Sequence, residues 1–326
     1  MEGPTPSGFR SRLKALPKKN VIIIATITML STAGLTIGLA VGLCAGRCTA
    51  RGADEARANA LWQPAVGTQW QIVLQDSISV GAAATPDVPV FDIDLYTNTD
   101  DGANAERVIG RLHALGKRVI CYFSAGTYEP YRPDSNRYRE ADLGAALPDW
   151  PDERWVDIRG DNVRSIILGR IELAASVGCD AIDPDNMDGY SNENGGGFSP
   201  PLTEQDSIDL TRWMASEAAS RGLATGLKNA LSIIPDVVDV VQFAVNEECS
   251  DWSECAEMQP FIAAGKPVFH IEYPDGAGTS SGLSAAVRRR HCEATGTTGF
   301  STVLKTYDLD GWVQYCDGAI FTTPTA

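Results

Sequence analysis

Short apolar runs alternate with helical stretches along most of the chain, and this alternation predicts its architecture. From Trp62 onward the apolar runs are Trp70–Gln75, Val88–Tyr96, Arg118–Ser124, Cys179–Asp183, Ala224–Asn229, Val240–Val245, Pro267–Tyr273 and Gly299–Lys305. Amphipathic segments lie between several of them, at Asn104–Leu115, Val163–Val177, Glu204–Arg221, Glu254–Ala264 and Ser284–Glu293. Eight strands separated by helices predict an α/β fold with a parallel sheet, most economically a closed (β/α)8 TIM-like barrel. The first crossover is short, so an irregular barrel is expected. Gly116, Gly178, Gly222 and Gly265 each fall between a helix and the next strand, where a left-handed cap calls for glycine. Thr203 as cap and Asp206 in the first turn mark the start of the segment Glu204–Arg221.

The N-terminal region has a different pattern. Val21–Leu43 contains no charged residue, and at ~1.5 Å per residue it spans roughly 34 Å, enough to cross a bilayer with some tilt. Five Lys/Arg precede it, which keeps the N-terminus cytoplasmic and exports the rest. The expected layout is a cytoplasmic tail (1–20), a transmembrane helix (21–43), a juxtamembrane stalk (44–61) and the barrel domain (62–326). That describes a single-pass type II plasma-membrane protein with its large domain outside. A cleaved signal peptide is the competing reading, although its apolar region is usually shorter, roughly 7–15 residues.

Charge and cysteine usage fit export. Residues 1–50 carry six Lys/Arg and one acid, a net of +5, so with −15 overall the remainder sums to −20. A body this acidic repels nucleic acid and attracts cationic ligands. Solubility of a secreted domain is the plainer explanation of the same surplus. Eight cysteines on an exported chain are expected to be partly disulfide-bonded. Cys249 with Cys255 and Cys292 with Cys316 are the two predicted couples. Cys121 and Cys179 are either buried thiols or a third bridge, and Cys44 and Cys48 lie beside the membrane span.

Candidate chemistry sits at the ends of the predicted strands. Asp183-Pro-Asp-Asn-Met-Asp188 places three carboxylates directly after an apolar stretch, and Asn246-Glu-Glu248 follows the run Val237–Val245. Burying acids costs several kcal/mol, at an order of magnitude, unless they are paired or used. Barrel enzymes place their reacting groups at these C-terminal strand ends. The other ends contribute Asp92, Asp94, Tyr122, Lys228, Asn229, Glu272, Tyr273 and Lys305. Carboxylates and amides hydrogen-bond sugar hydroxyls, and aromatic faces stack on pyranose rings. Only three histidines occur, so a histidine-built metal site is poorly supported, and no metal or organic cofactor is expected.

Gly178-Cys-Asp-Ala-Ile-Asp-Pro-Asp-Asn-Met-Asp-Gly-Tyr190 and Gln242-Phe-Ala-Val-Asn-Glu-Glu-Cys249 resemble signatures of glycoside hydrolase family 114. So do Trp62-Gln-Pro, Phe91-Asp-Ile-Asp-Leu-Tyr96 and Val119-Ile-Cys-Tyr-Phe-Ser-Ala-Gly126. The resemblance runs from about Trp62 through the barrel, and the N-terminal anchor is similar to that of a membrane-tethered fungal member. It implies a (β/α)8 fold and endo-α-1,4-polygalactosaminidase activity. The implied partner is a cationic galactosamine-containing exopolysaccharide, partly deacetylated; the −20 body agrees with it.

Glycoside hydrolysis needs two carboxyl groups flanking the scissile bond. Asp185 is expected as nucleophile or electrostatic partner and Glu247 as general acid/base, its proton held by partial burial. Strand alternation turns Asp183 and Asp185 inward, with Asp183 deeper. Asp188 is the alternative to Asp185, and Glu248 the alternative to Glu247. Asp92 and Asp94 are expected to hold an amino sugar's ammonium, or else to cap the following loop. Tyr122, Asp183, Asn186, Asp188, Tyr190, Lys228, Asn246 and Glu272 complete the expected substrate contacts. Lys228 either lowers an acid's pKa or pairs with Asp183, and Trp155 and Asp157 are candidate rim residues. Two rival readings keep the scaffold: a non-catalytic surface polysaccharide-binding protein, and a hydrolase of another α-linked polysaccharide.

Overall fold

The computed structural model describes residues 61–99 and 103–326. The expected tail, membrane span and stalk up to residue 60, with Cys44 and Cys48, lie outside the described residues. Among the described residues, no helix is long and apolar enough to cross a membrane.

Every predicted apolar run forms a strand of one curled sheet. These are β1 (Trp70–Val73), β2 (Val90–Asp94), β3 (Arg118–Ser124), β7 (Ala181–Asp185), β8 (Ala224–Lys228), β9 (Phe243–Glu247), β10 (Val268–Glu272) and β11 (Ser301–Leu304). They pair in parallel in that order. An antiparallel hairpin, β12 (Trp312–Tyr315) and β13 (Ile320–Thr322), extends the sheet to ten strands. No backbone ladder joins β11 to β1. Side chains bridge that seam: Trp70 Nε1–H donates to the Ser301 carbonyl at 2.8 Å, and Lys305 Nζ donates to the Ile72 carbonyl at 2.7 Å.

Among the described residues, the α-helices of five or more residues are α1 (Ala103–Ala114), α2 (Asp161–Val177), α3 (Glu204–Ser220), α4 (Gln259–Ala263) and α5 (Ala285–Cys292). Thr203 caps α3 with a reciprocal Asp206 bond. Gly116, Gly178, Gly222 and Gly265 all adopt the expected left-handed conformation, with φ between 72° and 91°. The segment Glu254–Ala264 is broken into a 3-10 turn and the short α4, with Pro260 in the first turn of α4. Proline has no N–H to continue an upstream helical ladder, so the helix restarts there. A second sheet of order β4 (Thr127–Tyr128), β6 (Arg154–Val156), β5 (Leu143–Ala146) is inserted between β3 and α2.

The predicted couples Cys249–Cys255 and Cys292–Cys316 are bonded, and Cys121–Cys179 is a third bridge, resolving the open choice. The last ties β3 to the residues preceding β7 across a separation of 58 residues. A loop of that length restricts the unfolded chain by about 4 kcal/mol. Replacing both Cys121 and Cys179 by Ala is expected to lower unfolding free energy by up to that amount in denaturant titration. An unchanged midpoint and slope would contradict it.

Candidate active site

Three neighbouring strands, β7, β8 and β9, end in Asp185, Lys228 and Glu247. The β7–β8 ladder stops at Ile182↔Thr225, just before Pro184, whose ring nitrogen has no hydrogen to donate. Above that point the Lys228 ammonium stands 3.3 Å from Asp185 Oδ2 and 3.2 Å from Glu247 Oε2. The two oxygens are therefore no further apart than the two legs together, about 6.5 Å. Lys228 is almost fully buried, whereas the side chains of Asp185 and Glu247 are 17% and 23% exposed. The cation is thus enclosed and the two carboxylates face the cleft.

Each carboxylate is also held by neutral donors. Tyr122 Oη–H donates to Asp185 Oδ2 at 2.9 Å, and the Asn186 N–H to Asp185 Oδ1 at 2.7 Å. Tyr273 Oη–H donates to Glu247 Oε1, and Asn229 Nδ2–H to Glu247 Oε2 at 3.1 Å. The strand ends turn sharply: Asn186, Asn229, Ala230 and Glu248 all have φ between 47° and 59°. Asparagine tolerates this region, while Ala230 and Glu248 store of order 1 kcal/mol each there. Gly126 permits the tightest approach, because a Cβ there would lie 1.7 Å from the Asn186 carbonyl oxygen. Its N–H donates to the Asp185 carbonyl at 3.1 Å, so this glycine helps seat Asp185.

Burial would push Glu247 up, but the Lys228 charge and the hydrogen bonds from Tyr273, Asn229 and Lys228 outweigh it and hold its carboxyl below the usual range. The expectation that partial burial keeps a proton on Glu247 is corrected on this point: its cationic and hydrogen-bonding partners favour the carboxylate. Burial opposes the charge on Lys228, yet Asp185, Glu247 and Asp183 outweigh it and keep the ammonium protonated well above its ordinary value.

Other carboxyls shift upward. Burial, with help from Glu129, pushes Glu153 up to about 7. Burial also raises Asp183 to about 7 against the pull of Lys228, raises Asp92 well above its ordinary value, and raises Asp188. A carboxyl with a higher pKa folded than unfolded contributes stability fully present below its unfolded value and lost as pH rises through its folded value. The depressed Glu247, Asp134 and Glu272 act in the opposite sense, but only below the unfolded carboxylate range. Unfolding free energy is therefore expected to fall as pH rises from about 4.5 to about 7, by up to ~1.4 kcal/mol per pH unit for each retained proton. Denaturant titrations across that window measure the slope, and a flat or rising profile would be inconsistent with buried protonated acids.

Asp94, Tyr122, Asp185, Asn186, Asp188, Lys228 and Glu247 line one cleft of about 760 Å³. Asp94 is nevertheless committed: it accepts from the Tyr96 and Thr97 N–H groups and pairs with Arg132, so it caps its loop, the second of the two readings. Asp92 and Asp183 are 0% exposed and lie off the cleft lining, with no surface to offer a sugar. The same correction applies to Asn246, buried against Asn229. It also applies to Glu272, which is buried against His270, His291 and the Ser250 N–H. Tyr190 is off the lining too, its hydroxyl within 2.8 Å of Ser232 Oγ. Trp155 reaches the lining, whereas Asp157 pairs with Arg159 outside it.

Much of the remaining wall comes from the segment carrying the inserted sheet, including Glu129, Tyr131, Trp150 and Glu153. Tyr307 stacks on Trp150 at 6.2 Å and 8°, and both rings, with those of Tyr131 and Trp252, are half or more exposed in the cleft. Among the described residues, ten acidic side chains line the cleft against two cations, Arg132 and Lys228, both buried. The cleft is therefore anionic, with open aromatic faces.

An α/β fold of parallel strands with an acidic, aromatic-walled cleft at their C-terminal ends has the architecture of a glycoside hydrolase. The chain belongs to glycoside-hydrolase family GH114, whose profile matches residues 52–321. It is similar to the crystal structure of Aspergillus fumigatus Ega3 in complex with galactosamine, with 44% identity and a TM-score of 0.72 over 79% of this chain and 98% of that one. The glycoside hydrolase domain of PelA from Pseudomonas aeruginosa shares the fold at 14% identity and a TM-score of 0.52, over 74% of this chain and 95% of that one. No curated protein matches.

Proposed function

We propose that this glycoside hydrolase cuts α-1,4-linked galactosamine polymer internally, with Asp185 as nucleophile and Glu247 as general acid/base. The observation that carries the reading is the single ammonium of Lys228 gripped by both carboxylates at the ends of β7 and β9. The galactosamine in the Ega3 crystal and the anionic lining support a cationic amino sugar as substrate. An upper limit of about 6.5 Å between the two oxygens favours the ~5–5.5 Å spacing of retaining enzymes over the ~6.5–9.5 Å of inverting ones.

Asp185 attacks the anomeric carbon as Glu247, carrying a proton, gives it to the departing glycosidic oxygen. Glu247 then takes a proton from water, whose oxygen replaces Asp185 at that carbon. Because Glu247 is held low, cleavage is fastest on the acid side of neutrality, where the amino sugar is also charged. The curled sheet acts as an irregular (β/α)8 barrel, sealed at the β1–β11 seam by side chains. Three disulfides and the uncharged stretch Val21–Leu43 support a type II plasma-membrane protein with this domain outside the cell.

Incubation with defined α-1,4-galactosamine oligomers, followed by mass spectrometry and proton NMR, tests the proposal. Internal cleavage with the α-anomer appearing first is expected. Binding without oligosaccharide release would favour a silent polysaccharide receptor. Cleavage of a different α-linked polymer in preference would displace the substrate, and a β-anomer formed first would overturn the covalent step.

A further inference from the structure

Asp92 and Asp183 are among the acids that the cleavage steps do not use. Asp92 on β2 and Asp183 on β7 are both 0% exposed. None of their four carboxylate oxygens receives a hydrogen bond from any N–H or neutral O–H group. They are, however, within hydrogen-bonding reach of each other. Two ionised carboxylates are acceptors only, so a hydrogen bond between them requires a proton on one. Lys228 does not neutralise them directly, because its close ion pairs are with Asp185 and Glu247.

We propose that Asp92 and Asp183 share one proton and form a positioning pair beneath Lys228, setting the charge against which its ammonium holds Asp185 and Glu247. The pair carries one negative charge while the proton is shared and two once it leaves. Lys228 then has either three or four anionic charges around it, and its hold on Glu247 changes accordingly. The charged groups facing the pair are Lys228 from β8, Asp185 from β7 itself, Asp94 from β2 and Glu247 from β9. Burial is the main force retaining the proton, and mutual repulsion adds to it. The proton belongs to the pair rather than to either residue. The catalytic consequence rests on the proposed roles of Asp185 and Glu247, whereas the shared proton itself does not.

Carboxyl-13C NMR of aspartate-labelled protein tests the proton directly. At a pH above about 7, where Asp183 has lost its own proton and exposed aspartates are ionised, a resonance in the protonated position is expected in the wild type. It is expected to be lost in Asp92→Asn, whose amide mimics the neutral acid and donates to Asp183. Absence of that resonance, or its persistence in Asp92→Asn, overturns the proposal. Should the variant not fold, a neutron structure of the wild type decides: a deuteron between the two carboxyls upholds the pair, and none overturns it. In kinetics, the wild-type profile of kcat/KM is expected to bend where the shared proton leaves, well above the ordinary carboxyl range, and Asp92→Asn to lose that bend. An identical bend in the variant contradicts the link to Lys228. A wild type that cleaves no galactosamine polymer removes the glycosidase assignment and leaves the NMR result to decide the pair.

Discussion

Asp185→Asn and Glu247→Gln are each expected to reduce kcat on galactosamine polymer by about 10⁴-fold, with folding and polymer binding retained. The two losses arise differently. Asparagine keeps the size of Asp185 and can still accept from Tyr122, but its neutral amide is a far weaker nucleophile. Glutamine at 247 keeps the contact to Tyr273 but carries no exchangeable acid proton for the leaving oxygen. Substrates with good leaving groups therefore recover much of the Glu247→Gln loss and little of the Asp185→Asn loss. Equal recovery in both variants would mean that the roles are reversed or shared. Steady-state kinetics on polymer and on an activated aryl galactosaminide give both numbers.

Lys228→Met removes the cation that both carboxylates contact. Burial then acts on Glu247 against only the hydrogen bonds from Tyr273 and Asn229, so its carboxyl titrates higher. At its own optimum the variant is expected to lose about 10²–10³-fold in kcat, the typical worth of one preorganised electrostatic group. The alkaline limb of kcat/KM, which follows loss of the proton from Glu247, is expected to move to higher pH. The direction is decisive: a cation lowers an acid's pKa, so deleting it raises that pKa. An unchanged limb would show that Lys228 does not govern Glu247. Some stability is also lost, because uncompensated charge remains near the interior.

The parts of the fold that are legible in the sequence are those where apolar periodicity and burial coincide. All eight parallel strands were marked by apolar runs, because each run is buried between neighbours in the sheet. The predicted ends of β7 and β9 fell two residues short, at Asp183 and Val245. Their last residues, Pro184-Asp185 and Asn246-Glu247, break the apolar pattern because the site requires polar groups there. The β4–β6 insert was not legible, since strands of two to four residues with partly exposed faces leave no periodic trace. Glu129 and Glu153 were missed for a related reason: single acids in a polar segment look like surface charge until the fold buries them. Asp92 and Asp183 were visible as strand acids, but alternation along one strand gives a facing direction and says nothing of depth relative to other strands.

Trapping the glycosyl-enzyme tests the central claim most directly. A fluorinated α-galactosaminyl fluoride slows breakdown of the intermediate, and peptide mass spectrometry then locates the attached sugar. The label is expected on Asp185 of the wild type, and to be absent from Asp185→Asn. A label on Asp188 or Glu247, or turnover of the reagent with no adduct at any carboxylate, would contradict it.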